Sequence, residues 1–289
     1  MNIVWLEEPV CQDVALVGGK VANLGRLAAS HRVPTGFCLT TAAFAQCAAW
    51  SEEDAAVLLP DVLRRELAVR YGEMAERCAV DMLKVAVRSS AIDEDSLDAS
   101  FAGQYETYLN IVGAAAVAEA VERCWASTRA PRVLEYRRQY GLSMHDMKLA
   151  VLVQQMVPAD VSAVVFSANP VSGARDEVVI NASWGLGESI VGGTVSPDTY
   201  VVGKADLQVR ERRIAEKQRM TVSQIEGTRE VDVPRFMRSQ PALDDDKATE
   251  MAQLARALEE EMGWPVDIEC AYHADDLYLL QCRPITTLT

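Results

Sequence analysis

The sequence predicts an α+β fold, a largely helical first half followed by a largely antiparallel β half. Two observations carry this. Before residue 148 apolar positions recur mainly at helical spacing, whereas from Lys148 onward short Val- and Ile-rich runs follow one another as strands. Strands and helices also fail to alternate in the βαβ order of a doubly wound sheet.

Taken in order, residues 18–29 read as a helix with Val21, Leu24, Leu27 and Ala28 on one face. Val33-Pro34-Thr35-Gly36 breaks it, 37–39 form a short strand, and Thr40 or Thr41 caps a helix running to Trp50. Residues 51–78 are helical and acidic-amphipathic. Residues 83–89 and 106–112 read as strands, and helices fill 113–127 and 130–140. Strands follow at 148–157, 162–167, 177–182, 199–202 and 207–213. The polar stretch 221–240 reads as a loop or flap, 244–262 as a strong helix, and 265–283 as a closing hairpin. The expected division is an N-terminal lobe of residues 1–148 and a C-terminal lobe of residues 149–289.

The 289 residues suffice for one large or two small domains. A net charge of −14 and a pI near 4.7 argue against nucleic acid, which is held by clustered Lys and Arg. No apolar run is long enough to span a bilayer, and the N-terminus lacks the basic-then-apolar order of a signal peptide. Seven cysteines without Cys-x-x-Cys spacing read as reduced core residues of a cytoplasmic protein. His31, His145 and His273 are isolated, which gives no histidine metal site.

Gly18-Gly19-Lys20 differs from a Walker loop. Val21 stands where Ser or Thr would hold magnesium, and Asp13 where the first glycine would be. Gly185-Leu186-Gly187-Glu188 lacks the third glycine of a dinucleotide fingerprint. The final hairpin says more. With a loop of Ala274-Asp275-Asp276, His273 pairs with Leu277, Glu269 stands opposite Gln281, and Asp267 opposite Arg283. Asp267, Glu269, Gln281 and Arg283 then share one face, and Ile268, Cys270, Leu280 and Cys282 the other. A two-residue turn at Asp275-Asp276 would shift the register and spoil the match. A carboxylate and an amide beside an arginine suit a cation bridging phosphate oxygens. The alternative is a cross-strand salt bridge of Asp267 with Arg283 on a solvated face. Arg88 ends the apolar run Val85-Ala86-Val87, either as a ligand-binding residue or paired with a carboxylate among Asp93, Glu94, Asp95 and Asp98. The small residues of Ser100-Phe101-Ala102-Gly103-Gln104 let backbone N–H groups approach phosphate. Gln154-Gln155-Met156-Val157 offers main-chain groups to an adenine edge, or is simply a strand terminus.

Gly18-Gly19-Lys20-Val21-Ala22-Asn23-Leu24, Val33-Pro34-Thr35-Gly36-Phe37, Val87-Arg88-Ser89-Ser90-Ala91, Asp98-Ala99-Ser100-Phe101-Ala102-Gly103-Gln104, Val153-Gln154-Gln155-Met156-Val157, Trp184-Gly185-Leu186-Gly187-Glu188 and Gln281-Cys282-Arg283-Pro284 occur in this order. Together they resemble the N-terminal ATP-binding domain of phosphoenolpyruvate synthase, pyruvate phosphate dikinase and rifampin phosphotransferase, across nearly the whole chain. The resemblance implies an ATP-grasp fold with ATP held between two lobes, and ATP and Mg2+ as cofactors. It implies that Lys20 and Arg88 contact phosphates, covered by the Gly103 loop with Thr107. Gln154, Met156 and Val157 would line the adenine and Glu188 the ribose. Glu269 and Gln281 would hold magnesium, with Arg283 near the transferred group. Lys20, Arg88 and Arg283 are thus the expected catalytic residues.

Departures from the family pattern are Val21 in place of a glycine, Ile92-Asp93 in place of a small polar pair, and a shorter segment between Phe44 and Lys84. In large members a swivelling domain with a phosphorylatable histidine follows Arg283-Pro284. No histidine here lies in a Thr-Ser-His-like setting, so the carrier is expected to be absent. The expected function is a stand-alone kinase acting on a small-molecule acceptor. The alternatives are an ATP-binding subunit serving a histidine on a separate carrier protein, an ATP-grasp ligase, or a non-catalytic ATP-binding module. Neither nucleic acid nor membrane is expected as a partner.

Overall fold

A computed structural model describes residues 1–47, 57–92, 106–139, 147–286 and 288. The chain divides into two units, one of residues 1–30 and 34–156, the other of residues 31–33 and 157–289. Both are α+β with antiparallel sheets, the fold class that the sequence predicts.

The first unit holds a five-stranded sheet in the order β1-β2-β5-β3-β4, from β1 (Ile3–Trp5), β2 (Gly36–Leu39), β3 (Lys84–Ala91), β4 (Thr107–Val112) and β5 (Leu149–Gln155). Alternation along the strands divides it into two faces. Val85, Val87, Leu149, Val151 and Val153 enter a core closed by α3 (Asp61–Arg77) and α4 (Ala114–Ala126), where Leu67, Met74 and Trp125 are fully buried. Ala86, Arg88, Ser90, Leu152 and Gln154 take the other face, against which α1 (Val14–Leu27) packs. Two short helices, α2 (Thr41–Cys47) and α5 (Pro131–Gln139), complete the unit. The strand at 148–157, expected in the C-terminal lobe, is β5 and pairs with β2 and β3, which moves the boundary from 148 to Met156. Period-2 hydrophobicity identifies a strand but not its neighbours.

In the second unit six strands run β13-β12-β6-β7-β8-β9. They are β6 (Val161–Phe166), β7 (Glu177–Trp184), β8 (Asp198–Gly203), β9 (Val209–Arg213), β12 (Val266–His273) and β13 (Asp276–Pro284). Helix α7 (Asp245–Met262) begins where Asp244 accepts the Lys247 N–H at 2.8 Å and stops at Gly263, which is left-handed at φ 77°. Its Ala248, Met251, Ala252, Ala255 and Leu258 bury the sheet face bearing Val165, Ile180, Tyr200, Ile268 and Cys270. The opposite face carries Ser162, Asn181, Thr199, Asp267, Glu269, Gln281 and Arg283.

The segment read as a loop at 221–240 contains a hairpin, β10 (Arg219–Ser223) with β11 (Thr228–Asp232). It docks where the Leu186 N–H donates to Thr221 O at 2.9 Å, beside the turn that leads into α6 (Glu188–Val191). A buried ion pair anchors the surrounding arm. Lys217 Nζ lies 2.6 Å from Asp198 Oδ1, both side chains 0% exposed. Asp198 also accepts the Ala215 and Ala242 N–H groups, at 2.9 and 2.7 Å. All seven cysteines are free thiols, five of them buried, and burial pushes Cys11 up to about 12.

The closing hairpin reaches the expected pairing by an unexpected route. Its turn is two residues, Ala274-Asp275, so His273 pairs with Asp276, not Leu277. A bulge then offsets the shift: Cys270 faces Leu279, Leu280 is the extra residue, and Glu269 stands opposite Gln281 and Asp267 opposite Arg283. The residue facing Cys270 and buried with it is therefore Leu279, not Leu280.

Candidate functional site

In the first unit, Lys20 is brought to the second half of β3, against Ser89, the residue after Arg88. Helix α1 is interrupted at Gly18, whose φ of 75° and ψ of 166° lie outside the helical region. A Cβ at Gly18 would lie 2.4 Å from both Ser90 O and Ser90 Oγ, so only glycine fits this approach. That contact lays Lys20 along the strand, where its ammonium donates to Ser89 O at 3.2 Å. The Val21 N–H donates to Ser90 Oγ at 3.2 Å. Lys20 is 7% and Arg88 8% exposed, two long cations held at the sheet face that α1 covers. Held cations of this kind suit a polyanion, since guanidinium and ammonium donors make strong charge-assisted bonds to phosphate oxygens.

Thr107 is the cross-strand partner of Arg88 and shares its face. Gln154 lies between Gly36 and Ala86, its side chain buried and its Nε2 donating to Pro34 O at 3.4 Å. The Met156 N–H donates to Lys84 O at 2.9 Å, which engages that donor inside the unit. Met156 ends the first unit and Val157 begins the second. Gly103 and Asp93–Asp98 lie outside the described residues.

In the second unit, Glu269 and Gln281 face each other across β12 and β13, on the face away from α7. Two residues along each strand, on the same face, Arg283 holds Asp267 with two bonds, Nε and Nη2 to Oδ2 at 2.9 and 2.8 Å. The Asp267–Arg283 pair anticipated as an alternative is thus present. The Asp267 end of the pair is largely withdrawn from solvent, its side chain 9% exposed, while Arg283 is 26% exposed. Burial raises the Asp267 carboxyl above the usual range, and Arg283 opposes that shift. Glu188 opens α6, and its Oε2 accepts from Thr228 Oγ1 of the hairpin at 2.9 Å.

The donor set fits magnesium. Glu269 and Gln281 offer a carboxylate and an amide oxygen, both hard donors, at paired positions. Among the described residues no group of three or more His, Cys, Asp or Glu side chains could hold a metal. Two protein oxygens suffice for an ion whose remaining positions go to water and phosphate, which is how Mg2+ is usually held.

Three features escaped the sequence reading: the Ser90 contacts, the Thr228–Glu188 bond and the Asp198–Lys217 pair. Only the second left a signal, in the alternation of 219–223 and 228–232 around Gly227. Among the described residues no helix is long and apolar enough to cross a membrane.

A family model described as "Pyruvate phosphate dikinase, AMP/ATP-binding domain" matches residues 54–289. A probable phosphoenolpyruvate synthase of Methanocaldococcus jannaschii is 39% identical over 99% of this chain and 27% of its own length. The phosphoenolpyruvate synthase of Pyrococcus furiosus is 36% identical over 99% of this chain and 44% of its own length. A rifampicin phosphotransferase of Streptomyces sviceus is 40% identical over 99% of this chain and 36% of its own length. The chain therefore spans less than half the length of each of these relatives. With its two antiparallel α+β units and its fit to that family model, the chain belongs to the pyruvate phosphate dikinase AMP/ATP-binding domain family.

Proposed function

We propose that this chain binds Mg-ATP and donates a phosphoryl group from it. The observation that carries the reading is the Gly18 break, which brings Lys20 to Ser89 O on β3, one residue along the strand from Arg88. In this reading Lys20 and Arg88 take phosphate oxygens, with Thr107 and the Gly103 loop covering them. Gln154, Met156 and Val157 line the adenine, and Glu188 takes the ribose. Glu269 and Gln281 hold Mg2+, and Arg283 takes charge that develops on the transferred group. The metal supplies electrostatic neutralisation of the phosphates. The protein's own contribution is orientation and fixed charge, since phosphoryl transfer asks for little covalent chemistry.

The acceptor we favour is a small molecule. Rifampicin phosphotransferase, the name of one relative, denotes transfer to a small organic compound. The second reading, which follows from the family resemblance of the motifs, is transfer to a histidine on a separate carrier protein. Incubation of the chain with Mg-ATP and host extract, divided into metabolite and protein fractions, separates the two. ATP consumption driven by the metabolite fraction supports a small acceptor. A requirement for the protein fraction supports a carrier. Consumption in neither, together with no ATP binding, rejects the proposal. Lys20→Ala is expected to weaken both ATP binding and turnover, and unchanged kinetics would place Lys20 outside the site.

A further inference from the structure

We propose that Ser90 acts as the N-cap of the helix that carries Lys20, supplied from a neighbouring strand, and thereby positions Lys20. The inference rests on the reading of Lys20 as a phosphate ligand. Helix α1 is interrupted at Gly18 and resumes at Gly19, so Gly18 stands where a capping residue normally stands. Glycine has no side chain to accept a bond, and the opening N–H groups of a helix lack an intrahelical acceptor. A capping Ser ordinarily accepts from the second or third helical N–H. Val21 is the third residue of the resumed helix, and its N–H donates to Ser90 Oγ at 3.2 Å. The hydroxyl comes from β3 and performs the bond that Gly18 cannot.

Two further observations point the same way. Ser90 is 0% exposed, and the approach of Gly18 to its main chain and hydroxyl leaves no room for a Cβ, so the cap is seated tightly. The preceding residue holds the lysine itself, through the Lys20 Nζ bond to Ser89 O at 3.2 Å. Consecutive residues of β3 thus grip consecutive residues of α1. Arg88, on the same face as Ser90, is next in line. Loss of the Ser90 hydroxyl frees the first turn of the helix, and with it the spacing between Lys20 and Arg88.

The test compares wild type, Ser90→Ala, Lys20→Ala and the double variant by calorimetric titration with Mg-ATP, with thermal melts alongside. Ser90→Ala is expected to weaken binding by about three- to tenfold, the scale of a lost cap. The double variant is expected to bind no more weakly than Lys20→Ala, because Ser90 acts through Lys20. Additive losses, or unchanged affinity in Ser90→Ala, overturn the proposal. Amide exchange at Val21 gives a readout independent of ATP. Faster exchange there in Ser90→Ala, with α7 unaffected, supports the cap, and unchanged exchange overturns it. If the wild type fails to bind ATP, the ATP reading falls, and the Val21 exchange still decides whether Ser90 caps the helix.

Discussion

Glu269→Ala is expected to remove the magnesium-dependent part of ATP affinity and to lower transfer by on the order of a hundredfold or more, the loss typical of one transition-state electrostatic contact. Glu269 is a sharper probe than Arg283. Arg283 holds Asp267 with two bonds, so its removal strands a carboxylate that is almost fully buried, and a loss of activity would be mixed with a loss of stability. Glu269 is only partly buried, and its alanine variant is expected to melt close to wild type. Calorimetric titration with ATP in the presence and absence of Mg2+ makes the check without knowledge of the acceptor. An equal magnesium effect in wild type and variant would remove Glu269 from the metal site.

Lys217→Met is expected to cost about 3–5 kcal/mol of stability, the scale of breaking a buried ion pair. It leaves the Asp198 carboxylate fully buried with its partner gone. Two backbone N–H groups, from Ala215 and Ala242, still serve that carboxylate, which places the expected loss toward the lower end. The double variant Lys217→Met with Asp198→Leu is expected to recover part of it, because no charge then stays buried. Chemical denaturation followed by circular dichroism measures both, and a Lys217→Met midpoint equal to wild type would contradict the account.

What the sequence made legible was local. The α7 boundaries follow from Asp244 as cap and Gly263 as stop, both visible as residue types. The strands of the second unit follow from their alternation. The facing of Glu269 with Gln281 was anticipated, but from an inferred loop of three residues where the structure has two. The turn hid itself because its left-handed residue is Ala274, at φ 54°, in place of the Asn or Gly that marks a tight hairpin. Asp160, far away in sequence, accepts the Ala274 N–H at 2.7 Å and supports that conformation. Contacts between distant segments were likewise invisible. Neither the type nor the spacing of Asp198 and Lys217 says that they meet in the core, and the Ser90 cap exists only once β3 and α1 are in place. Lys20 and Arg88 were singled out by motif resemblance, and their approach to neighbouring positions of β3 is a property of the fold.

The extra residue in the closing hairpin works as a parity correction. From the turn to the site, β12 runs His273 to Glu269 while β13 runs Asp276 to Gln281, one residue more. Side chains alternate, so an odd extra residue would swap inside for outside unless a bulge absorbs it. Deletion of Leu280 is therefore expected to straighten β13 while Gln281 stays opposite Glu269 and Arg283 opposite Asp267, each on its present face. Magnesium-dependent ATP affinity kept in this variant would demonstrate it, and its loss would contradict it. A two-residue turn with a bulge and a three-residue turn without one are thus equivalent routes to the same pairing of Glu269 with Gln281.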